Sequence, residues 1–132
     1  MQLDIVTPDR RVVVGKADDV VVPAKEGEID VLPGHAPFFG LLGTGVLRFV
    51  AEGKTHRLMV SGGFVEVDQD RVVLMCDSAS LADEVVVETE KKSLAALEQQ
   101  LAGLGAAASD DESYLKLKAE VDRSAARLTL IK

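Results

Sequence analysis

The sequence predicts an α+β chain: a flattened antiparallel β-sandwich or barrel of about eight to ten short strands, followed by an antiparallel αα hairpin. Three observations predict it. Up to Val87, short runs rich in Val, Leu and Phe recur every ten residues or so, with turn residues between them. Beyond Thr89 the apolar spacing becomes helical, with Leu94, Leu97, Leu101 and Leu104 on one stripe. A linker rich in Gly and Ala, Gly103 to Ser109, then divides the helical part and is short enough to return a second helix against the first. The expected domains are 1–87, a sandwich, and 88–132, a helix-turn-helix unit.

Leu3-Asp4-Ile5-Val6 opens the first strand, and Thr7-Pro8-Asp9 closes it with turn residues. Arg11 to Gly15 and Asp19 to Val22 follow as Val-rich strands, parted by a bulge or turn at Gly15-Lys16, and Pro23 ends the second. Glu28 to Leu32, Phe38 to Leu42 and Val46 to Ala51 are the next extended pieces. Glu52-Gly53 turns the chain, and Thr55 to Ser61 returns beside Val46 to Ala51 as a hairpin. After Gly62-Gly63, Phe64 to Asp68 alternates, Gln69-Asp70 turns, and Arg71 to Cys76 completes another hairpin. Val85-Val86-Val87 is expected as a last edge strand.

In the helical part, Gly103 and Gly105 are expected to stop the first helix. Ser109-Asp110-Asp111-Glu112 has the spacing of a capping box and starts the second. Tyr114, Leu117, Val121, Ala125 and Leu128 form its apolar stripe.

The stretch EGEIDVLPGHAPFFGLLGTG, Glu26 to Gly45, holds two of the four prolines, five of the eleven glycines and one of the two histidines. A run so often broken by Gly and Pro is neither a helix interior nor one long strand. Pro33-Gly34 is a turn dipeptide, and Pro37 holds Ala36 extended, so His35 stands at the shoulder of a turn. Two readings stand for this loop: a docking knob, or a plain corner of a sandwich.

Composition narrows the function. At 132 residues the chain is one domain or a small domain with an appendage. Its single cysteine, Cys76, excludes an internal disulfide and a cysteine-based metal cluster, and its strand context RVVLMCD suits a small buried hydrophobe. A net charge of −7 without a basic stripe argues against nucleic acid. The N-terminal MQLDIVTPDRR carries charges where a signal peptide would be apolar. Val31 to Ala51 is too rich in Pro and Gly, and too charged, for a spanning helix, so no direct membrane insertion is expected.

Charge divides unevenly: residues 1–87 carry 14 acids and 8 bases, a net of −6, whereas 113–132 carry five bases and two acids, a net of +3. The basic end reads either as a solvated helix face favoured by the helix dipole or as a docking face for an acidic partner.

No catalytic constellation is legible. His35 and His56 are the only histidines, and no HExxH, paired CxxC or GxSxG pattern occurs. Gly53-Lys54-Thr55 imitates the end of a phosphate loop, but Arg48 stands where the first glycine is required and the context is strand–turn–strand. The chain is therefore expected not to be an enzyme, with no metal and no catalytic residues.

GEIDVLPGHAPFFGLL at 27–42 and VSGGFVEVDQDRVVLMCDSA at 60–79 carry a specific likeness. With GE-x-x-x-LPGHAP and SGGF-x-EV in this order, ahead of a helical hairpin, the chain resembles the epsilon subunit of bacterial and chloroplast F-type ATP synthases over essentially its whole length. The resemblance implies a non-catalytic subunit of the rotating central stalk. Its sandwich would bind the gamma subunit and rest on the ring of c subunits, with Glu28 and His35 in the ring-facing turn. Its hairpin would fold on the sandwich or extend along gamma into the catalytic head of alpha and beta subunits, where it blocks ATP hydrolysis. Arg123 and Arg127, then Lys116 and Lys118, would meet an acidic segment of beta. The location implied is peripheral, on the cytoplasmic face of a bacterial plasma membrane.

Some members of that family bind ATP through (I/L)-D-x-x-R-A at the start of the first helix. Here the matching Val85 to Glu90 has Val86 for the acid, Thr89 for the arginine and Glu90 for the alanine. Arg123 and Arg127 match later basic positions, so ATP is expected as a weak regulatory ligand at most and no cofactor is required. The alternative reading is a free-standing nucleotide-sensing module built from the same two parts, which would need no gamma partner.

Overall fold

The computed structural model describes residues 1–104 and 112–131. Ten strands come first: β1 (Gln2–Val6), β2 (Arg11–Lys16), β3 (Asp19–Ala24), β4 (Gly27–Val31), β5 (Phe38–Leu41), β6 (Thr44–Ala51), β7 (Lys54–Ser61), β8 (Phe64–Asp68), β9 (Arg71–Met75) and β10 (Ser78–Leu81). A single 3-10 turn, Ala82–Glu84, leads into α1 (Val87–Leu104), and α2 (Glu112–Leu130) follows. The expected sandwich and paired helices are both present.

The strands form two five-stranded sheets, in the orders β2-β1-β9-β8-β5 and β10-β7-β6-β3-β4. Their inner faces share one core in which Leu3, Ile5, Val20, Val22, Leu47, Leu58, Val65, Val72 and Leu74 are fully buried or nearly so. Alternate positions of each strand supply it, as a pleated ribbon requires. Tight hairpins set the registers. Glu52 and Gly53 between β6 and β7 have φ of 53° and 76°, and Gln69 and Asp70 between β8 and β9 have 48° and 60°, the left-handed pair that two-residue hairpin loops need. The apparent phosphate-loop ending at Gly53 is this hairpin turn.

Several expectations are corrected. The sandwich is not wholly antiparallel, because β1 pairs in parallel with β9, from Gln2↔Arg71 to Val6↔Met75. The break between the second and third strands falls after Lys16, not at Gly15-Lys16, since Gly15 and Lys16 belong to β2 and pair in register with Leu3 and Gln2. Pro23 lies inside β3 and does not end it: the β3–β6 ladder stops at Val21↔Arg48, so a residue without an N–H breaks no bond on that side. The last edge strand is Ser78–Leu81, paired with β7, while Val85 and Val86 lie outside any strand and Val87 starts α1. The departure from the sheet has a local cause, because the Glu84 carboxylate accepts the Leu81 amide at 2.8 Å and curls the chain.

Gly103 is helical, so it does not stop α1. Gly105, the remainder of the expected linker and the capping box up to Asp111 lie outside the described residues. The two helices run antiparallel, for Glu90 near the start of α1 meets Ser124 and Arg127 near the end of α2. Leu117, Val121 and Leu128 of the expected stripe are half-buried, but Ala125 is exposed. The buried positions of α2 are Ser124, Ala126 and Leu130, because two surfaces cover it. One is α1. The other is the outer face of the second sheet, where Met59 of β7 packs with Ala126, Leu130, Val46 and Val85.

Candidate functional site

The Pro33 turn is built by short-range bonds and one long-range tie. The His35 amide donates to the Leu32 carbonyl at 3.0 Å, and Gly34 takes φ of 83°, which favours glycine. The Gly34 amide donates to Asp70 Oδ1 at 2.8 Å, so the turn is fastened to the β8–β9 hairpin. His35 Nδ1 lies 2.6 Å from the Ala36 carbonyl, and a carbonyl only accepts, which places the ring proton on Nδ1. Glu28, at the other end of β4, stands 3.6 Å from Arg48 of β6. Glu28 and His35 are held by different neighbours, Arg48 for the first and Leu32 with Ala36 for the second.

A second surface escaped the sequence reading. On the outer face of the first sheet, strand register places Val6, Met75, Phe64 and Leu41 side by side across β1, β9, β8 and β5. The next row runs Val14, Asp4, Val73, Glu66 and Phe39. Phe39 is 64 % exposed, Leu41 and Val14 more than half exposed, and Met75 nearly so. Phe39 leans on Phe64 with ring centroids 5.4 Å apart. Asp4 and Glu66 break the second row. The strip of Val6, Met75, Phe64 and Leu41, with Phe39 beside Phe64, is apolar throughout, and such a strip on a folded chain marks an interaction surface. Its signal was in the sequence, since Val12-Val13-Val14, Phe38-Phe39 and Leu41-Leu42 are apolar in both phases of the strand alternation.

The basic residues of α2 divide into two groups. Lys116 and Lys118 are exposed and bridge along their own helix to Glu112 at 3.4 Å and Asp122 at 2.8 Å. The Asp122 hydrogen bond raises the Lys118 pKa, which keeps the ammonium charged. Arg123 and Arg127 instead line a groove of about 450 Å³ between the helices, together with Glu90 and Glu120. Arg127 donates to Glu90 at 3.2 Å and to Ser80 of β10 at 3.1 Å, whereas Arg123 makes no ion pair among the described residues.

Cys76 is buried, and burial, with the neighbouring Asp77 charge second, pushes its thiol up to about 12, so it is not a reactive thiol at neutral pH. Among the described residues no group of three or more His, Cys, Asp or Glu side chains is placed to hold a metal ion. No described helix is long and apolar enough to cross a membrane.

Residues 1–82 match the family model described as "ATP synthase, Delta/Epsilon chain, beta-sandwich domain". The ATP synthase epsilon chain of Nitratidesulfovibrio vulgaris (strain DP4) is 37 % identical over 128 residues, covering 97 % of this chain and 92 % of that one. The chain belongs to the ATP synthase epsilon-chain family. The epsilon chain of Myxococcus xanthus, 34 % identical over 128 residues, covers the same 97 % and 92 %. A chain of the Euglena gracilis mitochondrial ATP synthase, in a structure of OSCP, F1 and c-ring, has a TM-score of 0.80 at 22 % identity. It covers 98 % of this chain and 80 % of that one, and at such identity the likeness speaks for the fold. The resemblance drawn from the LPGHAP and SGGF stretches is therefore borne out, and the chain is a non-catalytic component of the ATP synthase complex.

Proposed function

We propose that this epsilon-family chain serves in the central stalk of a proton-translocating F-type ATP synthase, joining gamma to the c-ring and restraining ATP hydrolysis through its helical arm. The observation that carries the reading is the apolar row Val6, Met75, Phe64 and Leu41 on one face of a sandwich whose opposite face already holds the arm. Gamma would cover that row. The Pro33 turn, with His35 and the more distant Glu28, would meet the polar loops of the c-ring. The complex would sit peripherally at the cytoplasmic face of a bacterial plasma membrane.

The arm suits a two-position element. The helices are 18 and 19 residues long, and a helix in a folded protein draws most of its stability from packing its apolar face, so each needs a partner surface. The arm's seat is small: Met59 and Val46 of the sheet, with Val85 from the segment before α1, against Ala126 and Leu130. Two surfaces of similar quality would leave folded-down and extended states only a few kcal/mol apart. In the extended state Arg123 and Arg127, with Lys116 and Lys118 as lesser contributors, would face an acidic segment of beta among the alpha and beta subunits.

A nucleotide-sensing role is disfavoured by the groove itself, because Glu90 and Glu120 stand beside the two arginines and would oppose a triphosphate. Calorimetric titration of the chain with ATP is expected to show no micromolar binding. The decisive test is truncation after Val87. The shortened chain should bind gamma stoichiometrically yet fail to inhibit ATP hydrolysis in the assembled enzyme. Failure to capture gamma, or inhibition at full strength without the helices, would overturn the proposal.

A further inference from the structure

Glu90 is a first-turn carboxylate of α1, and it is committed on both oxygens. Oε1 accepts from Arg127 Nη1 at 3.2 Å and Oε2 accepts from the Ser124 hydroxyl at 3.2 Å. Arg127 in turn reaches the body, donating through Nε to Ser80 Oγ of β10 at 3.1 Å. The pair is largely sheltered, with side-chain exposures of 14 % for Glu90 and 26 % for Arg127, and Ser124 is 1 % exposed. Among the described residues this is the single ion pair between the helices, and it is joined directly to the sandwich.

From this geometry we infer that Glu90, Arg127 and Ser80 form a latch that holds the arm on the sandwich. One guanidinium serves both helices and the sheet, so lifting α2 away must break the Ser80 bond, and separating the helices must break the Glu90 pair. Sheltered charge-assisted bonds of this kind are stronger than the exposed Lys116 and Lys118 pairs, which water and salt screen. The latch also makes the two uses of Arg127 exclusive. A guanidinium held by Glu90 is not available to an acidic partner, and one given to such a partner no longer closes the arm. The inference rests on the detachable-arm reading above.

Amide exchange on the intact chain tests it. Glu90→Gln keeps the shape of the side chain and removes its charge. It should speed exchange in α2 on the order of tenfold, the effect of losing one charge-assisted bond, while β1 and β9 amides keep their rates and show that the sandwich remains folded. The exchanged pair Glu90→Arg with Arg127→Glu should recover part of the protection. Raising salt should leave most of the gap between the parent chain and Glu90→Gln in place, because the pair is sheltered. Glu88→Gln, an exposed acid in the same helical turn, controls for the helix dipole and should leave α2 unchanged. Local opening of α2 that is indifferent to Glu90→Gln, or equally sensitive to Glu88→Gln, would overturn the latch alone. Exchange of α2 only together with the whole sandwich would overturn the detachable arm as well.

Discussion

Gly34 donates its amide to the Asp70 carboxylate at 2.8 Å, across 36 residues of sequence. That bond joins the turn after β4 to the hairpin between β8 and β9, and it presents His35 from an anchored base. Asp70 also holds φ of 60°, a conformation that Asn tolerates and Ala does not. Asp70→Asn should therefore keep most of the stability, whereas Asp70→Ala should lose about 1–2 kcal/mol. Denaturant unfolding measures the difference, and faster exchange of the Gly34 amide in the Ala variant would locate it.

Gly63 answers a different constraint. A Cβ there would collide with the carbonyl oxygen of Met75, and its φ of 93° is strained for any other residue. Gly63→Ala must push β8 away from β9, at a cost expected to reach about 3 kcal/mol or more. Urea titration should show this loss, and a change below about 1 kcal/mol would mean that the two strands separate easily.

The bare sheet face offers a separation of binding from folding. Leu41 is 56 % exposed, so Leu41→Glu should shift stability by only about 0.5 kcal/mol. Placed at the β5 end of a covered apolar row, the same charge should weaken gamma binding by at least about tenfold. Titration calorimetry against gamma reads the second effect and thermal melting the first. Unaltered affinity would move the gamma surface elsewhere on the sandwich.

The thiol of Cys76 supplies a pH prediction. Burial raises it from the ordinary 9.0 to about 12, so between those values the unfolded chain releases a proton that the folded chain keeps. The stability due to the neutral thiol is complete below about pH 9 and falls by about 1.4 kcal/mol per pH unit above it, until the folded thiol ionises. Cys76→Ala should start less stable because it leaves a cavity, yet show a shallower decline over this window. Parallel slopes for the two proteins in urea titrations would contradict the assigned shift.

Arg123 is the cleaner probe of the catalytic-head contact, because Arg127 also serves the sandwich. In assembled enzyme Arg123→Glu should raise ATP hydrolysis several-fold, more at low ionic strength than at high, as expected when exposed charges attract an acidic partner. Equal ATPase rates at every salt concentration would remove Arg123 from the mechanism.

Much of this architecture was legible before any coordinates. Turn chemistry at Glu52-Gly53 and Gln69-Asp70 marks two hairpins, and the leucines from Leu94 to Leu101 mark a helix, because each signal is local. The errors share a cause too. Pro23 and Gly15 break an isolated strand, whereas in the sheet their neighbours decide whether a missing N–H or side chain matters. Ala125 matched a one-sided helix, but α2 is covered from two sides.

By itself the sequence determined the order of strands and helices and the family, since periodicity, turn residues and the LPGHAP and SGGF stretches are all carried by residues close together in the chain. Only the tertiary structure decided which residues act side by side. Register across four strands aligns Val6, Met75, Phe64 and Leu41, and antiparallel docking brings Glu90 to Arg127 and Arg127 to Ser80. Such neighbours come from strand pairing and helix docking, and those are settled by burial over the whole molecule, which no short stretch of sequence records.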